Sequence, residues 1–258
     1  MQGAIVTHTS VATAHPAEND FRVGSVISRS VALLLRHVPM FLMIALIGYS
    51  PILLAPRTQP ADPTDLAQAL SVLAQALLAL IPLIVVSTFG EAVIVHAAFQ
   101  DMRRRPVRLV ESLNIVLRRS LAVVGFAFVA TFLIQLGLVL LIVPGFILYT
   151  MWFVGLPACI IERLGPWTSL RRSRQLTKGH RWKLFGLALL IIIPGLGAGF
   201  LITTGLTAVV GPTVAVIVRL IWKAIWGAFA TVVIVMTYHD LRVAKEGADI
   251  DQVAAVFD

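Results

Sequence analysis

Forty-one consecutive residues, Leu121–Ile161, carry no charged side chain. As a single α-helix this run would reach about 60 Å, twice the roughly 30 Å hydrocarbon core of a bilayer. It must therefore fold back on itself. Val143-Pro144-Gly145 supplies the break, because proline stops a continuing helix and glycine accepts the dihedrals of a turn. Two spans result, at 121–142 and 146–161. The rest of the chain has the same character: 58% of its 258 residues are hydrophobic and 13% are charged. Soluble domains carry about twice that share of charge, so too few polar side chains exist to cover a water-facing globule. The class is an integral membrane protein.

Other uncharged runs complete the set. Val38–Pro56 is a short first span, and Leu66–Gly90 lies uncharged between Asp65 and Glu91. Leu184–Thr204 is a fifth. The sixth contains Arg219 and Lys223, four residues apart and so on one helical face. Starting it at Thr213 sinks Lys223 into the bilayer at about 2.5–3.5 kcal/mol. Starting near Leu220 instead puts Lys223, Trp222 and Trp226 at an interface, with 205–219 as a buried or re-entrant outer segment. That second arrangement is the one predicted. With the N-terminus inside, eighteen of the twenty-one Lys and Arg residues fall on the inner side, leaving Arg57, Arg219 and Lys223 outside. Basic loops mark the cytoplasmic face, so both termini are expected there. Residues 1–20 have no basic n-region and apolar run of a secretory signal and are expected to form a disordered cytoplasmic tail. The membrane domain is expected over 21–240, followed by a cytoplasmic tail at 241–258.

The net charge is +8, and seven of the twenty-two residues in ERLGPWTSLRRSRQLTKGHRWK (162–183) are basic. Gly165-Pro166 before the strip and Gly179 near its end bracket a helix. In it Trp167, Leu170 and Leu176 are expected to dip into lipid, while Arg171, Arg172, Arg174 and Lys178 meet headgroups, as in an interfacial amphipathic helix. Two other segments resemble it. Residues 21–37 set Arg22, Arg29 and Arg36 seven apart, with Val23, Ile27, Val31 and Leu34 on another face. Residues 106–119 place Arg108, Glu111, Ser112, Arg118 and Arg119 mainly on one side and Leu109, Leu113 and Val116 on the other. Each precedes an odd-numbered span, which suggests three copies of one unit, a basic surface helix followed by a transmembrane hairpin. The fold expected is an all-α polytopic membrane protein of six transmembrane helices and three basic amphipathic surface helices.

The order VPGFILYTMWFVGLPACIIERLGPWTSLRRSRQLTKGHRWKLFGL, over 143–187, resembles the membrane domain of bacterial glycerophosphoryl diester phosphodiesterases and its stand-alone relatives. The resemblance lies in Val143-Pro144-Gly145, Glu162-Arg163, Arg172-Ser173, Leu176-Thr177 and Gly179-His180-Arg181-Trp182, and in Tyr238, Asp240, Leu241 and Arg242 of the C-terminal YHDLR. It covers about 21–258 and implies a membrane module in a bacterial plasma membrane. In that family the hydrolytic chemistry belongs to a separate barrel, so hydrolysis is not carried over.

The residues themselves offer no alternative chemistry. The thirteen acidic residues are scattered and the six histidines have no metal-ligand spacing, so no metal, cofactor or catalytic residue is expected. The one cysteine, Cys159, excludes an internal disulfide and reads as a buried small hydrophobe. The basic strip lacks any recognised nucleic-acid module around it, so nucleic acid is not an expected partner. The expected partner is anionic inner-leaflet lipid, held by Arg171, Arg172, Arg174, Lys178 and Arg181, or a protein that the chain anchors. The competing reading of the strip is that its charges only set topology. Three intramembrane ionisable residues, Glu91, Arg219 and Lys223, support an alternative, a small transporter or lipid-moving protein. Against it, Glu91 is read as pairing with an arginine near the inner interface, and Arg219 and Lys223 as snorkelling.

Overall fold

The computed structural model describes residues 22–54 and 66–257, and every regular element among them is helical. In chain order these are α1 (Val23–Arg36), α2 (Val38–Tyr49) running into a 3-10 turn (Ser50–Leu54), α3 (Leu66–Met102), α4 (Leu109–Arg118) and α5 (Ser120–Leu140). Then come α6 (Ile142–Met151), α7 (Gly155–Ile161), α8 (Pro166–Thr177) and α9 (Arg181–Leu201), a π turn (Ile202–Leu206), α10 (Thr207–Val210) and α11 (Pro212–Phe257). Five stretches are long and apolar enough to cross a membrane: α3, α5, Ile142–Ile161, Arg181–Leu206 and Thr213–Glu246. A sixth is the α1–α2 pair, bent by 92°. The protein is thus an all-α polytopic membrane protein. The tail at 1–20 lies outside the described residues, as do Arg57, Asp62 and Asp65.

The three surface helices α1, α4 and α8 obey one register. In each case the residue at the break, just before the following helix, stands in the sparsely allowed region between α and β: His37 (φ −125°, ψ 27°), Arg119 (−111°, 17°) and His180 (−113°, 12°). Seven residues before that break stands a fully buried serine, Ser30, Ser112 or Ser173. Four residues after it stands a fully buried apolar side chain, Phe41, Val123 or Leu184, and eight after it a buried alanine, Ala45, Ala127 or Ala188. The repeat is therefore counted from the break. The starting points Phe21, Pro106 and Pro166 conceal it. Each surface helix packs against the second span of the preceding unit: α1 on α11, α4 on α3, α8 on α7.

Several local expectations are corrected. The serines point inward, where Ser30 donates to the Val26 carbonyl at 2.7 Å and Ser173 to the Met151 carbonyl at 3.0 Å. On α4 the leucines are outside: Val110, Leu113 and Leu117 are exposed, whereas Ser112 and Val116 are buried. On α8, Leu170 and Leu176 pack within the protein, and only Trp167 faces out. On α1 the buried line is Val26, Ser30 and Leu33, and Val31 is exposed. Small polar residues allow helices to approach closely, and the lipid accepts the leucines.

The hairpin in the 41-residue run turns at Leu141 (φ −157°, ψ 130°), not at Gly145. Pro144 lies in the first turn of α6, where its missing N–H is no loss. Gly145 serves the packing of α5 on α6, since a Cβ there would overlap the side chain and backbone nitrogen of Leu138. Further on, the chain turns at Gly211, whose φ of +81° favours glycine. From Pro212 one helix runs unbroken, so no re-entrant segment covers 205–219, and Arg219 and Lys223 ride on a span. Trp222 and Trp226 are not simple interfacial anchors. They stack on each other and donate to the Gly195 and Ile191 carbonyls of α9, at 3.3 and 2.9 Å. Pro194 lies within α9 beside these two acceptors and removes one N–H from its backbone ladder. Leu241 is fully buried, and α11 continues through it.

Candidate functional site

Two groups of polar side chains stand out, one inside the bundle and one belting its basic end. The inner group forms where Gly48 and Gly90 let α2 and α3 approach so closely that a Cβ on Gly90 would sit 3.2 Å from the Gly48 Cα. The next residue on each helix is polar, and Tyr49 donates its hydroxyl to the Glu91 carboxylate at 2.8 Å. Gly227 of α11 accommodates the Tyr49 ring, which a Cβ there would strike. Lys223, one turn before Gly227, sits with its ammonium 5.9 Å from the Tyr49 ring centroid.

Glu91 lies eleven residues before the end of α3, about 16 Å along the axis at 1.5 Å per residue. It is thus well inside the bundle rather than at the inner interface, and its partner is a tyrosine rather than an arginine. His96 instead hydrogen-bonds Ser112 of α4 at 2.9 Å. Glu91 lines a cavity of about 300 Å³ with Tyr49, Tyr149, Thr88, Thr131 and Thr231. Five spans contribute. Thr88 and Thr231 donate back to their own helices, which leaves their oxygen lone pairs towards this space. Arg219 does not join the group, and its Nε is buried without a hydrogen-bond partner among the described residues.

At the basic end, ion pairs and hydrogen bonds tie the helices into a belt. Arg29 of α1 pairs with Asp240 of α11. Arg36 and His37 both reach Asp101 of α3, at 3.3 and 2.9 Å. Arg119 donates to the Leu164 carbonyl at 2.8 Å. Glu162, at the end of α7, is the hub: it accepts two 2.9 Å hydrogen bonds from Arg172 Nε and one of 2.7 Å from the Tyr238 hydroxyl. Arg172 also reaches Glu246 at 2.7 Å, and Arg242 pairs with the same carboxylate. Burial opposes the charge on Arg172, but the hydrogen bonds and fields of Glu162 and Glu246 outweigh it and hold the guanidinium above its ordinary range.

The predicted headgroup residues therefore divide. Arg172 is committed to the belt, whereas Arg171, Arg174, Lys178 and Arg181 are exposed. Cys159 is buried, as the sequence suggested. Among the described residues no group of His, Cys, Asp and Glu gathers as metal ligands would. Tyr49 and the cavity threonines escaped sequence reasoning. Their only signal was the pair of dipeptides Gly48-Tyr49 and Gly90-Glu91, which mean nothing until α2 and α3 are laid side by side. The chain matches no family model, no curated protein and no solved structure.

Proposed function

We propose that this is a non-catalytic integral membrane protein of a bacterial plasma membrane, with its basic end and both termini in the cytoplasm, which holds anionic phospholipid at that surface. The observation carrying this reading is the pairing of outward cations with outward apolar side chains at one end of the bundle. Trp167 and Trp182 are 68% and 87% exposed and stand beside Arg171, Arg174, Lys178 and Arg181. Aromatic rings and cations side by side match the headgroup layer, which attracts each basic residue by about 1 kcal/mol. Four such cations supply about 4 kcal/mol, enough for strong but salt-sensitive retention. The likeness to the membrane domain of glycerophosphoryl diester phosphodiesterases is proposed on its motifs alone, without hydrolysis.

Native mass spectrometry of protein extracted gently from its own membranes tests this reading. In a variant with Arg171, Arg174, Lys178 and Arg181 replaced by Gln, co-purifying anionic lipid should fall at least fivefold, which is well within the ~4 kcal/mol available. Unchanged lipid retention would remove the assignment. A polypeptide that co-purifies in place of lipid would make the chain an anchor.

A second reading, movement of a lipid or small solute, is favoured by the Glu91 cavity, because a dry scaffold needs no carboxylate there. It predicts that proteoliposomes scramble fluorescent phosphatidylglycerol, and that Glu91→Gln slows this at least tenfold with little change in thermal midpoint. An unaltered rate rules Glu91 out of any such path.

A further inference from the structure

We propose that a cleft between the end of α3, the start of α4 and the end of α7 with the loop after it is a binding site for a phosphate-bearing anion. The inference rests on the membrane topology of the preceding reading, but on none of its lipid-binding residues. The cleft measures about 430 Å³ and is lined by Arg103, Arg105, Arg108, Arg163, Glu111 and His96, among others. That volume suits a small ligand.

One wall is a preorganised basic loop. Gln100, buried at the end of α3, accepts the Arg103 and Arg105 amides on its carbonyl at 3.1 and 3.0 Å, and the Arg108 amide on its side-chain oxygen at 3.1 Å. Arg104 donates to the Asp101 carbonyl at 2.8 Å while its φ stands at +55°. Arg103 lies over the Phe99 ring at 4.6 Å, which fixes the direction of its guanidinium. Across the cleft, Arg163 is also left-handed, with φ of +56°. Among the described residues these two arginines are the only non-glycine positions with positive φ; Arg163 lines the cleft, and Arg104 lies in the chain between the lining residues Arg103 and Arg105. Left-handed backbone costs a side-chain-bearing residue about 1–2 kcal/mol, and such strain persists where function or surrounding structure retains it.

The charge balance points the same way. Elsewhere at this end Arg29, Arg36, Arg172 and Arg242 each pair with a carboxylate. Arg103, Arg105, Arg108 and Arg163 have no salt bridge among the described residues. Four guanidinium groups face one carboxylate, Glu111, which leaves three positive charges uncompensated. A guanidinium fork matches phosphate oxygens in pairs, and a tetrahedral dianion can meet donors from both walls at once. The ligand is therefore a phosphate group, carried either by a lipid or by a soluble molecule.

Two measurements on the full chain separate those sources. Inorganic phosphate is titrated calorimetrically into protein held in phosphatidylcholine nanodiscs, and retention of phosphatidic acid is read by native mass spectrometry. Saturable phosphate binding, weakened at least tenfold in Arg105→Gln/Arg163→Gln, assigns a soluble phosphate compound. Phosphatidic acid retained by the wild type and lost tenfold in that variant, without phosphate binding, assigns a headgroup. Arg103→Gln/Arg108→Gln should repeat the loss, with a thermal midpoint unchanged within about two degrees. The variant at Arg171, Arg174, Lys178 and Arg181 should bind as the wild type does, so the two proposals fail separately. Neither ligand bound by the wild type, or equal binding by wild type and cleft variants, overturns the site.

Discussion

Replacing Glu162 by alanine is expected to lower the thermal midpoint in detergent or nanodiscs by about 6–12 °C, the equivalent of about 3 kcal/mol for a chain of this size. Glu162 is 16% exposed and holds α7, α8 and α11 together through Arg172 and Tyr238. Removing one partner of a buried pair usually costs about 3–5 kcal/mol, because the surviving charge remains desolvated. Here Arg172 keeps Glu246, which softens the loss. The Tyr238 hydroxyl loses its acceptor in a fully buried side chain, adding about 1–3 kcal/mol. Glu162→Gln keeps an acceptor for Tyr238 and loses only the charge, so it should recover about half of the shift. A fall of less than about 2 °C in the alanine variant would mean that the belt does not carry α8. Equal effects from Ala and Gln would assign the whole cost to charge.

Gly145→Ala should destabilise by a similar amount, about 3 kcal/mol, for a steric reason. The new Cβ would overlap the Leu138 side chain and its backbone nitrogen, and on the facing helix a Cβ on Gly137 would lie 3.0 Å from the Gly145 Cα. A side chain can rotate away, but a backbone nitrogen on the facing helix cannot. The α5–α6 hairpin must then open at the point where a single residue, Leu141, joins the two helices. Gly197→Ala is the matched control, because nothing lies within 4 Å of a Cβ at that position. Thermal unfolding of the two variants side by side decides it. If Gly145→Ala unfolds like Gly197→Ala, close packing at the hairpin is not what holds it.

Both predictions arise at places where the sequence was suggestive and the structure different. Val143-Pro144-Gly145 was legible as a feature of the hairpin, but the turn is at Leu141, two residues before it, and the glycine serves packing. Glu162 was legible only as half of the Glu162-Arg163 step that opens the basic strip. Its partners are instead Arg172 and Tyr238, ten and seventy-six residues away. No local pattern contains such a pairing. The candidate sites divide in the same way. Glu91 could be singled out because a carboxylate inside an apolar run is costly wherever it lies. Its tyrosine partner and its cavity could not be.

The sequence by itself determined the membrane class, the all-helical fold, the apolar runs and the three basic surface helices. Each of these follows from hydropathy and charge summed over ten or more neighbouring residues, which survive any choice of packing. Only the tertiary structure decided which face of each helix turns inward. Lipid is as apolar as leucine, so an apolar stripe does not distinguish bilayer from core. The buried serines of α1, α4 and α8 and the outward leucines of α4 show the outcome. The same holds for charge. Identical arginines became belt members, exposed cations or cleft walls according to which carboxylates the helix packing brought within reach.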